Sequence, residues 1–379
     1  MNKLLTDEQR ELQIMAREFA RKELIPISAE CDMRGEFPRH LYKKACEMGF
    51  TSITTPLKYG GAGLGVLEQV IVEEELAYGD AGFAVGFGAS TSLGTIPVEL
   101  AGTEKQKQRR YDIMQNGGIA AFCLTESAAG SDAANVRTTA VKDGNDYIIN
   151  GSKCFITNGG IADIYTVFAT VDRGLGAKGI TAFEIEAGTP GLSVGREENK
   201  MGIRSSNTTD VIFEDVRIPA TNMLGDIGQG YKLALSTLDR TRSSGACATA
   251  GICQRAIDLC IKYAKERITF GKPIISNQAI QFMLADMEIK TEAARSMIWL
   301  GAQMQDKGIV DPVFGAATKT FCGDTVMVVT TNAVQIFGGY GYSRDYPVEK
   351  LMRDAKIFQI FEGTNQIQRM VIGGNLARR

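Results

Sequence analysis

Of the residues able to do chemistry, Glu362 has the most suggestive neighbours. It stands in Phe358-Gln359-Ile360-Phe361-Glu362-Gly363-Thr364-Asn365-Gln366-Ile367-Gln368-Arg369, between an apolar run and a glycine. Ile357, Phe358, Ile360 and Phe361 would keep water from the acid. Desolvation disfavours a charged carboxylate, so its pKa should rise toward the range of a general base. Gly363 lets the backbone approach a ligand closely. Thr364 suits the N-cap of a helix running on through Ile367 and Met370, whose free N–H groups would point at something electron-rich. A surface-loop glutamate ahead of a C-terminal helix is the other reading of the same residues.

Elsewhere the chemistry is constrained by what is scarce. His40 is the one histidine in 379 residues. A His-based zinc site or a Ser-His-Asp triad is therefore nearly excluded, and acid–base work falls to carboxylates, Tyr, Lys, Cys or a cofactor. Eight cysteines show no CxxC pair and read as small, reduced core residues. Glu73, Glu74 and Glu75 diverge around a helix, which suggests a solvated face rather than a metal site. Asp239 and Arg242 stand three apart on one helix face, the spacing of a weak surface ion pair. The loop Tyr59 to Gly65 is glycine-dense but lacks the Lys-Ser/Thr pair of a phosphate loop. Phe122 to Asp132 leaves a strand for a polar loop whose N–H and hydroxyl groups can meet a ring system or a phosphate; an ordinary Ser/Asp turn fits too. Lys153 to Gly160 reads as a hairpin edge with an Asn-Gly turn. Arg267 to Pro273 and Gln335 to Gly341 read as helix ends.

The elements that must position these residues fall into three stretches. Residues 1–118 are helical by periodicity, with Thr6 or Asp7 as the first cap and Pro26, Pro38 and Pro56 at the connections. A small-residue helix covers Gly82 to Ser90. Residues 119–229 are strand-rich: Ile119 to Glu126, Val136 to Lys142, Tyr147 to Asn150, Ile164 to Val171, Ile180 to Glu186 and Asp210 to Val216, with a hairpin turn at Asp143-Gly144-Asn145. Short strands of this kind suggest a small sandwich or barrel. Residues 230–379 return to helices, one of them long and uninterrupted from Leu233 to Ala264. Further helices near 277–307, 312–336, 347–357 and 364–375 suggest an antiparallel bundle. The fold class is α+β: helical domain 1–118, β domain 119–229, four-helix bundle 230–379.

The run Met352-Arg353-Asp354-Ala355-Lys356, followed by Phe361-Glu362-Gly363-Thr364, resembles the C-terminal signature of the acyl-CoA dehydrogenase family, most like its short-chain, butyryl-CoA branch. The resemblance implies FAD as cofactor and Glu362 as catalytic base. Phe122, Leu124, Thr125, Gly130 and Ser131 match the family's first flavin loop, with Ser127 where a proline is common. Phe155, Ile156 and Thr157 match the stretch against the flavin ring, with Phe155 where Trp is frequent. Arg267, Phe270 and Gln278, with Gln335, Gly338 and Gly339 from a second subunit, would hold the ADP half, and Thr364 and Gln366 also lie among the cofactor-binding positions. Asn277 replaces a usual His. Asp239, Arg242, Ser131 and Gly363 would meet the acyl-CoA. Thr241 occupies the place where some branches carry their base, leaving Glu362 as the candidate. The helix with Gly86, Gly88 and Ala89 would line the acyl pocket floor, its small side chains leaving room.

On this resemblance the expected activity is oxidation, or reverse reduction, at the α,β bond of a short-chain acyl-CoA. Glu362 would take the α-proton and the flavin the β-hydrogen. An arylacryloyl-CoA or other enoyl-CoA reductase, an acyl-CoA oxidase and a non-catalytic assembly protein are the competing readings. An electron-transfer flavoprotein is the implied redox partner, and a homo-oligomer, a tetramer, the implied assembly. Hydrophobic residues at 44%, charged residues at 23% and a net charge of −2 describe an ordinary globular chain and argue against nucleic acid or an anionic membrane as partner. With no signal peptide and no apolar run of ~18 residues, no membrane span is expected and the cytoplasm is the expected location.

Overall fold

The computed structural model describes residues 5–378; Met1 to Leu4, the run-in to the first helix, lie outside the described residues. Thr6 caps α1 (Asp7–Phe19) through a reciprocal pair in which its hydroxyl accepts from Gln9 N and its own N–H donates to Gln9 Oε1. The helices α2 (Ile25–Arg34), α3 (Arg39–Glu47), α4 (Val66–Gly79), α5 (Ala81–Gly88), α6 (Ile96–Ala101) and α7 (Glu104–Gln115) follow. A wider π turn, Ala89–Leu93, continues α5.

The acidic run of α4 departs from the solvated face expected of it. Glu73, Glu74 and Glu75 are 5%, 3% and 1% exposed, because α4 is enclosed on all sides by its neighbours. Two of them are paired: Glu75 with Arg17, and Glu74 with Arg295 at 2.7 Å and Trp299 Nε1 at 3.3 Å. Glu73 has no cationic partner among the described residues, and its contacts are taken up below.

The middle of the chain forms one eight-stranded sheet: β1 (Ala120–Cys123), β2 (Thr139–Asp143), β3 (Asp146–Thr157), β4 (Ile164–Thr170), β5 (Ile180–Glu186), β6 (Leu192–Glu197), β7 (Thr208–Pro219) and β8 (Met223–Leu224). The order is β6-β7-β3-β2-β4-β5-β8, with β1 joining in parallel to β4. The hairpin turn is where the sequence puts it, with Asp143 opposite Asp146 and Gly144 at φ 61°. Three features were not anticipated, one of them the two-residue strand β8. β3 runs on through Lys153 to Thr157, paired with β7, instead of ending in a hairpin edge. β6, a largely exposed strand of Leu-Ser-Val-Gly-Arg-Glu, lacks a strong apolar alternation.

The third stretch holds α8 (Gly230–Gly245), α9 (Cys247–Glu266), a two-stranded hairpin of β9 (Ile268–Thr269) and β10 (Lys272–Pro273), α10 (Gln278–Asp306), α11 (Pro312–Phe337), α12 (Val348–Ala355) and α13 (Asn365–Leu376). The long helix expected from Leu233 to Ala264 is two helices meeting at Ala246. Among the described residues no helix is long and apolar enough to cross a membrane.

Buried charge ties the three stretches together. Asp80 caps α5 by accepting from Phe83 N at 2.8 Å, and also accepts from Ser28 Oγ, Ser205 Oγ and Lys350 Nζ. Lys350 also donates to Asp354, which accepts from Ile203 N. Arg110, fully buried, pairs with Glu184 at 2.8 Å and joins α7 to β5. Each such pair is costly to break one-sidedly, so these contacts fix how the stretches meet.

Candidate active site

Glu362 and Gly363 sit at φ 54° and 86°, two successive left-handed residues that reverse the chain before α13. Thr364 then caps that helix, its hydroxyl accepting from Ile367 N at 3.2 Å. A non-glycine residue in this region is strained and must be held by its surroundings. Gln368 Nε2 donates to the carbonyl oxygens of Glu362 at 3.0 Å and Gly363 at 3.1 Å. Lys319 Nζ, from α11, donates to Gly363 O at 2.8 Å and Asn365 Oδ1 at 3.0 Å.

The strained turn delivers the Glu362 carboxylate to the junction of α8 and α9. Thr241 Oγ1 donates to Glu362 Oε2 at 3.2 Å. Gly245 faces Oε1 so closely that a Cβ there would lie 3.3 Å from it, and any larger side chain would press on the acid. Phe358 and Phe361 pack edge to face at 5.0 Å, and with Arg242, Gly245, Ala246, Thr249 and Lys319 they enclose a small recess beside the carboxylate. Burial raises the Glu362 pKa above the ordinary carboxylate value; the Thr241 hydrogen bond and the charges of Lys319 and Arg242 partly oppose the rise. A carboxylate so placed can accept a proton from carbon more readily than an exposed one.

Asp239 and Arg242 are joined at 2.5 Å, but not at the open surface: their side chains are 24% and 7% exposed. Among the described residues Arg242 Nε has no hydrogen-bond partner. The pair therefore holds an unspent donor beside the recess.

The residues expected to meet a flavin divide by orientation. Phe155 is 65% exposed at φ 55°, a bare aromatic ring on a strand. Thr125 and Thr157 are half-buried, and Gly130, Ser131 and Gln366 are exposed. Ile156 and Leu124 are buried at 2% and 7%, and Phe122 packs on Phe168 at 4.9 Å. A ligand would meet the backbone of Ile156 and Leu124, not their side chains. The loop after β1 and the end of β3 are locked to each other: Cys154 N donates to Thr125 O at 2.9 Å, and the buried Lys153 donates to Glu126 at 2.6 Å and Leu124 O at 3.2 Å.

Arg267, Gly338 and Gly339 come together on an open groove of about 590 Å³ with Tyr263, Thr269, Asn277, Ile336, Phe337 and Tyr340. The resemblance divides this set between two subunits, whereas these three residues share one groove of a single chain. Phe270 stands outside the groove, fully exposed at the tip of the β9–β10 hairpin, and Gln278 and Gln335 are exposed near it in sequence.

The α5 glycines also differ from their reading as pocket space. A Cβ on Gly86 would meet the Phe37 ring at 2.8 Å, so this glycine serves packing. Gly88 lies against the Glu73 carboxylate, where a Cβ would stand 3.1 Å from Oε2, tighter than side chains ordinarily pack. Lys319, Gly245, Thr249 and Gln368 were not singled out from the sequence. Of these only Lys319 carries a signal, as a lone cation among the small residues of Gly315 to Gly323.

Comparison with known proteins covers nearly the whole chain. Family models described as the acyl-CoA dehydrogenase N-terminal, middle and C-terminal domains match residues 6–117, 121–216 and 228–377. A short-chain-specific acyl-CoA dehydrogenase of Megasphaera elsdenii is 45% identical over 379 residues, covering 99% of each chain. The solved butyryl-CoA dehydrogenase of Megasphaera elsdenii superposes with a TM-score of 0.96 at 45% identity, covering 99% of each chain. A chain solved in work on the electron transferring flavoprotein of Acidaminococcus fermentans and flavin-based electron bifurcation superposes with a TM-score of 0.97 at 46% identity, covering both chains fully.

Proposed function

The chain belongs to the acyl-CoA dehydrogenase family, and on that premise we propose that Glu362 is the base that takes the α-proton of a short-chain acyl-CoA thioester. The activity is FAD-dependent oxidoreduction of an acyl-CoA. The short-chain preference is supported by the likeness to the Megasphaera elsdenii enzymes. The observation that carries the reading is a carboxylate held in a strained, left-handed turn, desolvated by Phe358 and Phe361, and given room by Gly245.

The residues present fit FAD. Phe155 offers an uncovered aromatic face, Thr125 and Thr157 stand half-buried on the locked loop and strand, and the groove beside Arg267 joins a cation to glycine backbone suited to a diphosphate. Bound there, the flavin supplies the hydride-accepting chemistry that no side chain can. The protein's own part is to desolvate Glu362, hold its backbone through Gln368 and Lys319, and orient its carboxylate through Thr241. Asp239 and Arg242 position the CoA portion, with Arg242 Nε as the free donor.

An electron-transfer flavoprotein is the proposed redox partner, supported by the Acidaminococcus fermentans likeness. Eight free cysteines suit a reducing compartment, and the cytoplasm is the proposed location. Glu362→Gln should retain FAD and bind butanoyl-CoA while losing about two to four orders of magnitude in turnover, as removal of a general base does. Turnover near the parent's, measured by bleaching of the flavin under anaerobic conditions, would refute the assignment.

A further inference from the structure

Glu73 is a buried acid to which the proposed reaction assigns no task. It lies on α4 behind Gly88 and Thr91, at the end of α5 and its π continuation, where Gly88, Ala89, Thr91 and Ser92 are half-buried amid otherwise enclosed helices. Its Oε1 accepts from Gln69 Nε2 at 2.8 Å and Thr91 Oγ1 at 3.3 Å. Among the described residues its Oε2 has only the thiol of Cys247, at 3.5 Å, and a Cβ on Gly88 would stand 3.1 Å from that oxygen. Cys247 is two residues beyond Gly245, which touches Glu362, and the two carboxylates are within electrostatic reach of each other.

A purely structural carboxylate in such a place would be paired, as Glu74 and Glu75 are, because an unpaired buried charge is strongly disfavoured. Glu73 instead keeps one oxygen with a single weak donor, on the side where α5 presents a glycine and no side chain. We infer that Glu73 lines the acyl pocket and accepts a hydrogen bond from a hydroxyl group on the acyl chain beyond its β-carbon. This rests on the reading of Glu362 as the base, which fixes where the α-carbon lies.

The environment selects among substituents. Burial pushes the Glu73 pKa up to about 7, so the acid is present in both states near neutrality. A hydroxyl suits both, donating to the carboxylate or accepting from the neutral acid. An ammonium suits only the charged state, and a carboxylate tail would be repelled by it. A terminal methyl would bury the free oxygen with no strong donor, which is the loss by which a polar subsite rejects an apolar isostere.

The test uses CoA thioethers, which lack the carbonyl and are not turned over. The FAD-loaded protein is titrated calorimetrically with 4-hydroxybutyl-, 5-hydroxypentyl- and 6-hydroxyhexyl-S-CoA and with the methyl-ended isosteres pentyl-, hexyl- and heptyl-S-CoA. At one chain length the hydroxyl compound should bind at least about tenfold more tightly than its isostere, the discrimination expected of one buried charge-assisted hydrogen bond. Glu73→Leu should reverse that order, and Glu73→Gln, which keeps size and an acceptor, should retain part of it. No preference in the parent at any length, or a preference that survives Glu73→Leu, overturns the inference. The parent titration stands even if the leucine variant fails to fold. Flavin bleaching by butanoyl-CoA with no hydroxyl preference removes only the Glu73 subsite; no bleaching by any acyl-CoA removes the proposed function as well.

Discussion

Lys319 donates to the carbonyl that follows Glu362, and its charge bears on the acid itself. Burial lowers its own pKa to about 8, with Glu362 acting in the opposite sense. Below that value Lys319 is cationic and favours the ionised form of Glu362. The base works only when ionised, so turnover falls as pH drops through the Glu362 pKa. Lys319→Met removes the cation and should raise that pKa by about one unit, the usual size of one nearby charge. The acid limb of the kcat profile should then move to higher pH, and Lys319→Arg should move it back part of the way. An unmoved limb in Lys319→Met would count against any role for Lys319 beyond packing. At this scale the sequence singled out Glu362 because it carries apolar neighbours and a glycine in its own segment, and the structure buries its carboxylate. It could not tell what holds that acid: Gly245 and Lys319 are common residues that reach it from distant parts of the chain, and Gln368 reaches back only once the turn before α13 has formed. Glu73 was misread for a related reason, since a run of three acids is locally a surface pattern and becomes a core feature only when neighbouring helices close over it.

Among the elements, α12 has an influence out of proportion to its length. Through Lys350 it neutralises Asp80 at the start of α5 and Asp354 beside Ile203. Lys350→Met would leave two buried carboxylates without their cation and should cost about 3–5 kcal/mol of stability. Urea unfolding at neutral pH would measure it, and a loss under about 1 kcal/mol would mean that the serines and backbone N–H groups suffice alone. Most element identities were legible because the period of apolar residues changes where the chain passes from helix to strand and back. The misses have local causes. β6 is mostly exposed, so it lacks the apolar alternation that marks a half-buried strand. The extension of β3 contains Gly151, Phe155 at positive φ and register shifts against β7, which look like a turn until the partner strand is present. The break at Ala246 has no proline to announce it.

The surface of the whole molecule points to assembly. Phe282, Ile289 and Leu300 are 60%, 66% and 49% exposed, and their spacing of seven and eleven residues puts them along one stripe of α10. Phe321 and Val328 on α11 are also partly bare, at 38% and 42%. Apolar patches of this kind on a folded chain mark contact surfaces. The tetramer implied by the family resemblance would bury such a stripe, and Ile289→Lys should shift sedimentation toward smaller species and weaken FAD retention; a parent that sediments as a monomer would exclude the assembly. The clamp between Asp80 and Lys350 has a further bearing on how such a molecule is made. Its two ends are 270 residues apart. A chain leaving the ribosome exposes the aspartate early and its counter-ion almost last, so the buried cluster at the start of α5 is incomplete until α12 has emerged. A nascent polypeptide halted before α12 should stay open to chaperones and proteases, and completion of the final segment is what releases the finished molecule from their attention.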